Sequence, residues 1–227
     1  MRDTFRVGLL AGLLMITGAA RAAEPTDAQV AAAHAAAIVI DGHVDLPAGF
    51  ATEKNDPGVD GKSQIDLPKL ERGGVDVAVL AVFAWQQART PEQDAIAVAT
   101  GREKLAAIRR AADWYPSRLG IATRADEVAP LAAAGRRVAV ISVLNATVLG
   151  SKAELLDEYY AAGLRQVGFT HASHNAYADS SRPLPKNGDG PTLWGGLSPL
   201  GRGLVPRLND LGVIVDVSQL STAALEQ

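Results

Sequence analysis

The run Val75-Asp-Val-Ala-Val-Leu-Ala-Val82 carries apolar, mostly β-branched side chains at nearly every position, where a strand with one wet face would alternate them with polar ones. A run of this kind reads as a strand covered on both faces, the mark of a parallel sheet clothed by helices. Outward from it the same signal returns at Ala37-Ile-Val-Ile40, Val138-Ala-Val-Ile-Ser-Val143, Leu164-Arg-Gln-Val-Gly-Phe169 and Val213-Ile-Val-Asp-Val217. Between these runs lie Ala-, Leu- and charge-rich stretches of helical character: Thr26 to Ala36, Pro91 to Tyr115, Ala125 to Ala134, Lys152 to Ala162 and Gly201 to Leu211. Pro91 sits just inside a helix start, and Gly135, Gly163 and Gly212 follow helix ends, where glycine supplies the left-handed turn. The order predicts an α/β fold of repeated strand–helix units, with five strands.

Composition narrows the chemistry. With 227 residues, 48% hydrophobic and 21% charged, the chain has material for one sizeable core and is neither disordered nor fibrous. Lys+Arg number 22 against 25 for Asp+Glu, so no excess of one sign points to nucleic acid or an acidic membrane surface as partner. The absence of cysteine excludes disulfides, thiolate catalysis and Cys-based metal sites. Any metal or acid–base chemistry must then draw on His34, His43, His171 and His174 together with carboxylates.

At the amino terminus Arg2 and Arg6 precede the apolar run Val7 to Ile16, which gives way to Ala20-Arg21-Ala22. Basic, apolar, then Ala-x-Ala is the order of a secretory signal peptide, predicted over residues 1–22 and leaving 23–227 as the folded domain in a secreted or periplasmic setting. The alternative, a transmembrane anchor, asks for roughly 20 apolar residues, more than Val7 to Ala20 provides. No transmembrane helix is expected.

Two segments are too long for compact connections: Phe50 to Ser63 and Asn175 to Ser198, both rich in Gly and Pro and both following the carboxyl end of a strand. Such loops are either functional or tolerated surface insertions. In Asp41-Gly-His-Val-Asp-Leu-Pro47, His43 and Asp45 are two apart, which in extended chain puts both side chains on one face. They can form a pair of ligands for a divalent metal such as zinc, or an Asp that merely holds a His. His171, in Phe169-Thr-His-Ala-Ser-His-Asn-Ala-Tyr-Ala-Asp-Ser180, stands where a strand ends, a position that carries catalytic groups in barrels. His174 lies in the loop and His34 in an Ala-rich helix, where structural or solvated roles are usual. No G-x-G-x-x-G or P-loop follows any strand.

Taken together, Ile40 to Pro47, Asp66-Leu-Pro-Lys-Leu-Glu-Arg-Gly-Gly-Val75, Phe169 to Ser180, Gly196-Leu-Ser-Pro-Leu-Gly-Arg-Gly-Leu-Val205 and Asn209-Asp-Leu-Gly-Val-Ile-Val-Asp-Val-Ser218 resemble, in order, the membrane (renal) dipeptidase family of zinc metallopeptidases. The resemblance implies a (β/α)₈ TIM-type barrel, a metal-activated water that hydrolyses dipeptides, two zinc ions and a homodimer. It gives His43 and Asp45 to one zinc, makes His171 the catalytic-site histidine that contacts substrate, and places Asn175 beside it as a substrate-binding residue. Five strands fall short of the eight that close such a barrel, so an amino-terminal portion is expected, with an open edge where a sixth strand would dock.

The chain departs from the family pattern at two ligand positions. Where the family has a Glu bridging both zincs this sequence has Leu144, followed by Asn145, and where a histidine should follow Asp216-Val-Ser218 it has Gln219. Two divalent ions about 3.5–4 Å apart repel by on the order of 20 kcal/mol even at an effective dielectric of about 20, and Leu144 offers no charge to offset this. The expectation is therefore a degenerate metal site holding at most one weakly bound zinc on His43 and Asp45. Two functions compete: a metallodipeptidase acting on dipeptides or similar small peptides, and a catalytically inactive secreted binding protein derived from the same barrel.

Overall fold

The computed structural model describes residues 24–227, and the expected signal peptide lies outside them. The elements run α1 (Asp27–Ala36), β1 (Ile40–Asp45), α2 (Leu67–Arg72), β2 (Val77–Phe83), α3 (Pro91–Trp114), β3 (Leu119–Ile121), α4 (Val128–Ala133), β4 (Arg137–Leu144), α5 (Ala153–Ala161), β5 (Leu164–Gly168), α6 (Pro199–Asp210), β6 (Ile214–Asp216) and α7 (Thr222–Leu225). All pairings among these strands are parallel, in the order β1-β2-β4-β5-β6, with β3 joined to β4.

The doubly covered run holds the centre. Every residue of β2 is buried, and β2 pairs with β4 without interruption from Val77 opposite Val138 to Phe83 opposite Leu144. Leu80 and Val82 face outward with Ile141, Val143 and Val167 into a core shared with Leu105 and Ile108 of α3, Leu156 and Tyr159 of α5, and Leu208 of α6. The other face of the same strands is apolar as well: Val77 and Val138 cluster with Ala122 at one end, and Ala81, Phe83 and Leu144 at the other. Helix ends follow capping chemistry. Thr26, Asp66, Thr90, Ser198 and Ser221 each accept a backbone N–H at a helix start, and Gly135, Gly163 and Gly212 adopt positive φ after helix ends.

The structure corrects the sequence reading in three places. The sheet has six strands, because Leu119-Gly-Ile121 pairs with the first residues of β4, while β5 takes the same edge of β4 further along, from Ile141 onward. Three residues containing a glycine carry no periodic signal, so this strand exists through its neighbour and not through its own propensity. The first strand begins at Ile40 and extends to Asp45, so His43 and Asp45 lie within it. The loop Phe50 to Ser63 leaves the strand mouth altogether. Its Asp56 accepts from the Tyr115 hydroxyl at 2.6 Å, Arg110 donates to the Ala51 carbonyl and Arg118 to that of Gly58, so it docks on the foot of α3 as a connection.

Among the described residues β1 and β6 each have a strand on one side only, and Ile40 and Ile214 are each 59% exposed. No helix among the described residues is long and apolar enough to cross a membrane.

Gly101 marks a tight helix contact. A Cβ there would come within 2.8 Å of the Val148 Cβ and closer still to the Tyr159 hydroxyl, which bonds to the Val148 carbonyl at 3.4 Å. Replacing glycine by alanine in a helix ordinarily gains about 1 kcal/mol, whereas forcing a methyl into a filled core costs about 1–3 kcal/mol. Gly101→Ala is therefore expected to lower stability in urea unfolding despite its better helix propensity, with part of the loss recovered when combined with Tyr159→Phe.

Candidate functional site at the strand mouth

The carboxyl ends of β1, β2, β4, β5 and β6 open onto one mouth. Register places Asp45 beside Ala81 and Ala81 beside Ser142, and one layer further out Phe83 beside Leu144, with Gly168 beside Asp216. A Cβ on Gly168 would stand 3.6 Å from Leu144 Cδ1 and 3.7 Å from Asp216 Oδ2, so Leu144 and Asp216 approach each other across a residue that has no side chain.

His43 Nε2 and Asp45 Oδ1 are 3.5 Å apart, with side chains 43% and 66% exposed. The separation is too long for a good hydrogen bond, so the aspartate does not lock the ring, and both groups stand open to the mouth. His171 sits in the turn after β5. Its ring centroid lies 4.9 Å from that of Phe83 and 5.0 Å from that of Trp85, and its Nδ1 is buried with no hydrogen-bond partner. Desolvation pushes its pKa below the usual histidine value; Asp45 pulls upward, while Arg182 and His43 add to the downward push. Burial thus favours the neutral ring.

Leu144 is buried against Ala81 and Phe83, so the position given to a bridging carboxylate is an apolar contact. Gln219 is exposed, has φ of 64°, and serves through its backbone: its carbonyl accepts from the Thr170 hydroxyl at 2.9 Å and from the Ser181 N–H at 2.9 Å. Among the described residues no three His, Cys, Asp or Glu side chains come together as a metal site. The described residues by themselves do not supply a two-zinc centre.

Asn175 has a different place from the one the sequence reading gave it. It is fully buried, its Nδ2 donates to the Phe169 carbonyl at 2.6 Å and to Asn145 Oδ1 at 2.8 Å, and its Oδ1 accepts from the N–H groups of Tyr177 and Ala178. Its hydrogen-bonding capacity is used within the loop, leaving it nothing to offer a ligand in this conformation. Its partner Asn145, at φ 68° and ψ 94°, holds a backbone conformation rare for a residue with a side chain, and is tied by its Nδ2 to the Ala84 carbonyl and to Gln86. His174, expected in a structural or a solvated role, has the structural one: it is fully buried, its Nδ1 accepts from the Ser180 N–H and its Nε2 donates to the Gly190 carbonyl, both at 3.0 Å.

The long loop after β5 is built on two carboxylates that sequence reasoning passed over. Asp179 accepts from the N–H groups of Leu193, Trp194, Gly195 and Gly196 and from the Thr192 hydroxyl. Asp189 accepts from the His174 and Leu184 N–H groups and the Ser173 hydroxyl, and pairs with Arg89 at 2.5 Å. A run of N–H groups with no sheet or helix partner, in a segment rich in Gly and Pro, was the available clue. Burial alone would push Asp189 up; the donors from Leu184, Ser173, Arg89 and His174 outweigh it and hold its pKa at about 2.

Comparison with known proteins places this geometry. The model of the membrane dipeptidase family, peptidase family M19, matches residues 27–227. The chain is 29% identical to dipeptidase verJ of Clonostachys rogersoniana over 82% of its own length and 49% of that protein's, and 27% identical to dipeptidase tcpJ of Claviceps purpurea over 74% and 39%. It spans about half the length, or less, of the curated relatives it matches. Among solved structures it superposes on the probable dipeptidase PvdM from Pseudomonas aeruginosa with a TM-score of 0.80 at 40% identity, covering 85% of this chain and 49% of that one. A Rhodobacter sphaeroides metallo peptidase, solved with a phosphinate mimic of the dipeptide L-Ala-D-Ala, gives 0.67 at 21% identity over 83% and 60%, a likeness of fold. The six-stranded parallel sheet is part of a TIM-type barrel, as expected.

Asp189 also generates a test. Its lowered pKa is stability that is fully present above the ordinary carboxylate value of 3.8 and lost as pH falls toward about 2. Asp189→Asn is expected to cost about 2 kcal/mol in urea unfolding at pH 7. The gap between variant and wild type should close between pH 4 and pH 2; a gap that is unchanged over that range would show that the carboxylate charge is not what stabilises the loop.

Proposed function

The chain belongs to the membrane dipeptidase family, peptidase family M19, and on that premise we propose that its strand mouth engages dipeptides for hydrolysis, with a degenerate metal site. The observation that supports this most is the convergence of His43 and Asp45 from β1 and His171 from the end of β5 on one mouth. The carboxyl ends of parallel barrel strands are where such folds mount their chemistry.

In this reading His43 and Asp45 are the ligands for a metal, held singly and weakly, because zinc sites usually draw at least three protein ligands. His171 acts as a neutral imidazole, addressing a dipeptide through Nε2 since Nδ1 is closed off by protein. Asn175 stabilises the loop behind it. A second reading, a secreted protein that binds dipeptides without turning them over, is favoured by Leu144, whose apolar packing occupies the place of a bridging carboxylate. In either reading residues 1–22 direct export to a secreted or periplasmic location, and a homodimer follows the family habit.

Metal analysis of the purified chain, with hydrolysis of a dipeptide panel in added zinc, separates these readings. The expected result is less than one tightly bound zinc per chain, and hydrolysis that needs added zinc, stops with chelator and falls at least about 100-fold in His43→Ala. Two tightly bound zincs would refute the degenerate site, and binding without chelator-sensitive hydrolysis would leave only the second reading.

A further inference from the structure

Trp85 is 65% exposed, more than any other large apolar side chain among the described residues, and it stands at the mouth. Single exposed apolar residues are ordinary features of protein surfaces. Trp85 differs from those in two ways. Its ring is edge-on to two others, 5.1 Å from Phe83 at 66° and 5.0 Å from His171 at 85°, so three rings form one cluster. These are favourable aromatic geometries, yet most of the indole surface remains open.

The segment that carries it is also fixed in place. Gln86, next in the chain, is buried; its Oε1 accepts from Asn145 and its carbonyl from Asn187 Nδ2 at 2.9 Å. Three residues further, Arg89 donates to Asp189 and to the His174 and Gly188 carbonyls. A connection between β2 and α3 that is bound to both the end of β4 and the long loop holds its indole at a set position over the mouth. Beneath it Phe83 and Leu144 form an apolar floor, and around it stand charges of both signs: Lys104, with Nζ 5.7 Å from the Phe83 centroid, and Asp45 and Arg182, both near enough to act on His171.

We propose that Phe83, Trp85 and His171 form an aromatic subsite that receives a large apolar or aromatic side chain of a bound dipeptide, with Trp85 setting that preference. The inference rests on the reading that the mouth engages dipeptides, and it names which of them. The nearby cations match the ligand's carboxylate, which Lys104 or Arg182 would face, while the rings cover the side chain.

Isothermal titration of the chain with Gly-Phe and with Gly-Gly, in chelator so that no turnover occurs, tests this apart from catalysis. Gly-Phe is expected to bind at least about 10-fold more tightly than Gly-Gly, with about 5–10-fold of that lost in Trp85→Ala and most of it kept in Trp85→Phe. Thermal unfolding of both variants should match wild type, because the indole is largely exposed. Equal binding of the two dipeptides, no binding of either, or a Trp85→Ala variant that keeps the preference would overturn the proposal. Aromatic preference without zinc-dependent hydrolysis would uphold this subsite while removing the peptidase reading, and hydrolysis with no such preference would do the reverse.

Discussion

The buried carboxylate of Asp189 is the tie on which the mouth depends. It collects donors from three separate stretches: Ser173 and His174 just after β5, Leu184 within the long loop, and Arg89 between β2 and α3. A carboxylate withdrawn from water is costly unless nearly every lone pair is met, and here that demand is what draws the three stretches together. His171 precedes the first stretch and Trp85 precedes the third, so the two rings that meet at the mouth belong to segments tied to one charge. Asp179 repeats the device inside the loop, where it takes up the N–H groups of Leu193 to Gly196, which have no sheet or helix to bond to.

Against that polar scaffold the floor of the mouth is apolar. Phe83 and Leu144 lie side by side in the sheet, and Gly168 leaves room next to them. Close-spaced divalent ions ask for a ring of carboxylates and imidazoles; the described residues supply one exposed His–Asp pair on an edge strand and a histidine among aromatic rings. The described part of the mouth thus sets one polar pair beside a hydrocarbon floor.

Much of this was legible in sequence because it is written in local pattern. Val75 to Val82 and Val138 to Val143 announce doubly covered strands, the glycines after α4, α5 and α6 announce helix ends, and the H-x-D spacing puts two ligands on one face. What was not legible depends on partners distant in the chain. Nothing in Leu119-Gly-Ile121 marks a strand until β4 offers its edge. Phe50 to Ser63 and Asn175 to Ser198 look alike in composition, yet one docks at the foot of α3 and the other builds the mouth, a difference decided by Tyr115 and Arg118 in one case and Arg89 in the other. Asn175 had the residue type of a ligand contact; its meeting with Asn145 makes it a strut.

The turn at Gln219 has an evolutionary consequence. Its shape is set by a backbone carbonyl that Thr170 and Ser181 hold, while the side chain stands exposed and contributes nothing to that arrangement. Histidine tolerates the same left-handed backbone and lies a single nucleotide change from glutamine. At position 219 a change of side chain would leave the bonds that shape the turn in place. Leu144 is the opposite case: a carboxylate there would enter an apolar cluster and need compensating charge before it could be tolerated. The two positions thus differ in how much surrounding packing a change of side chain would disturb.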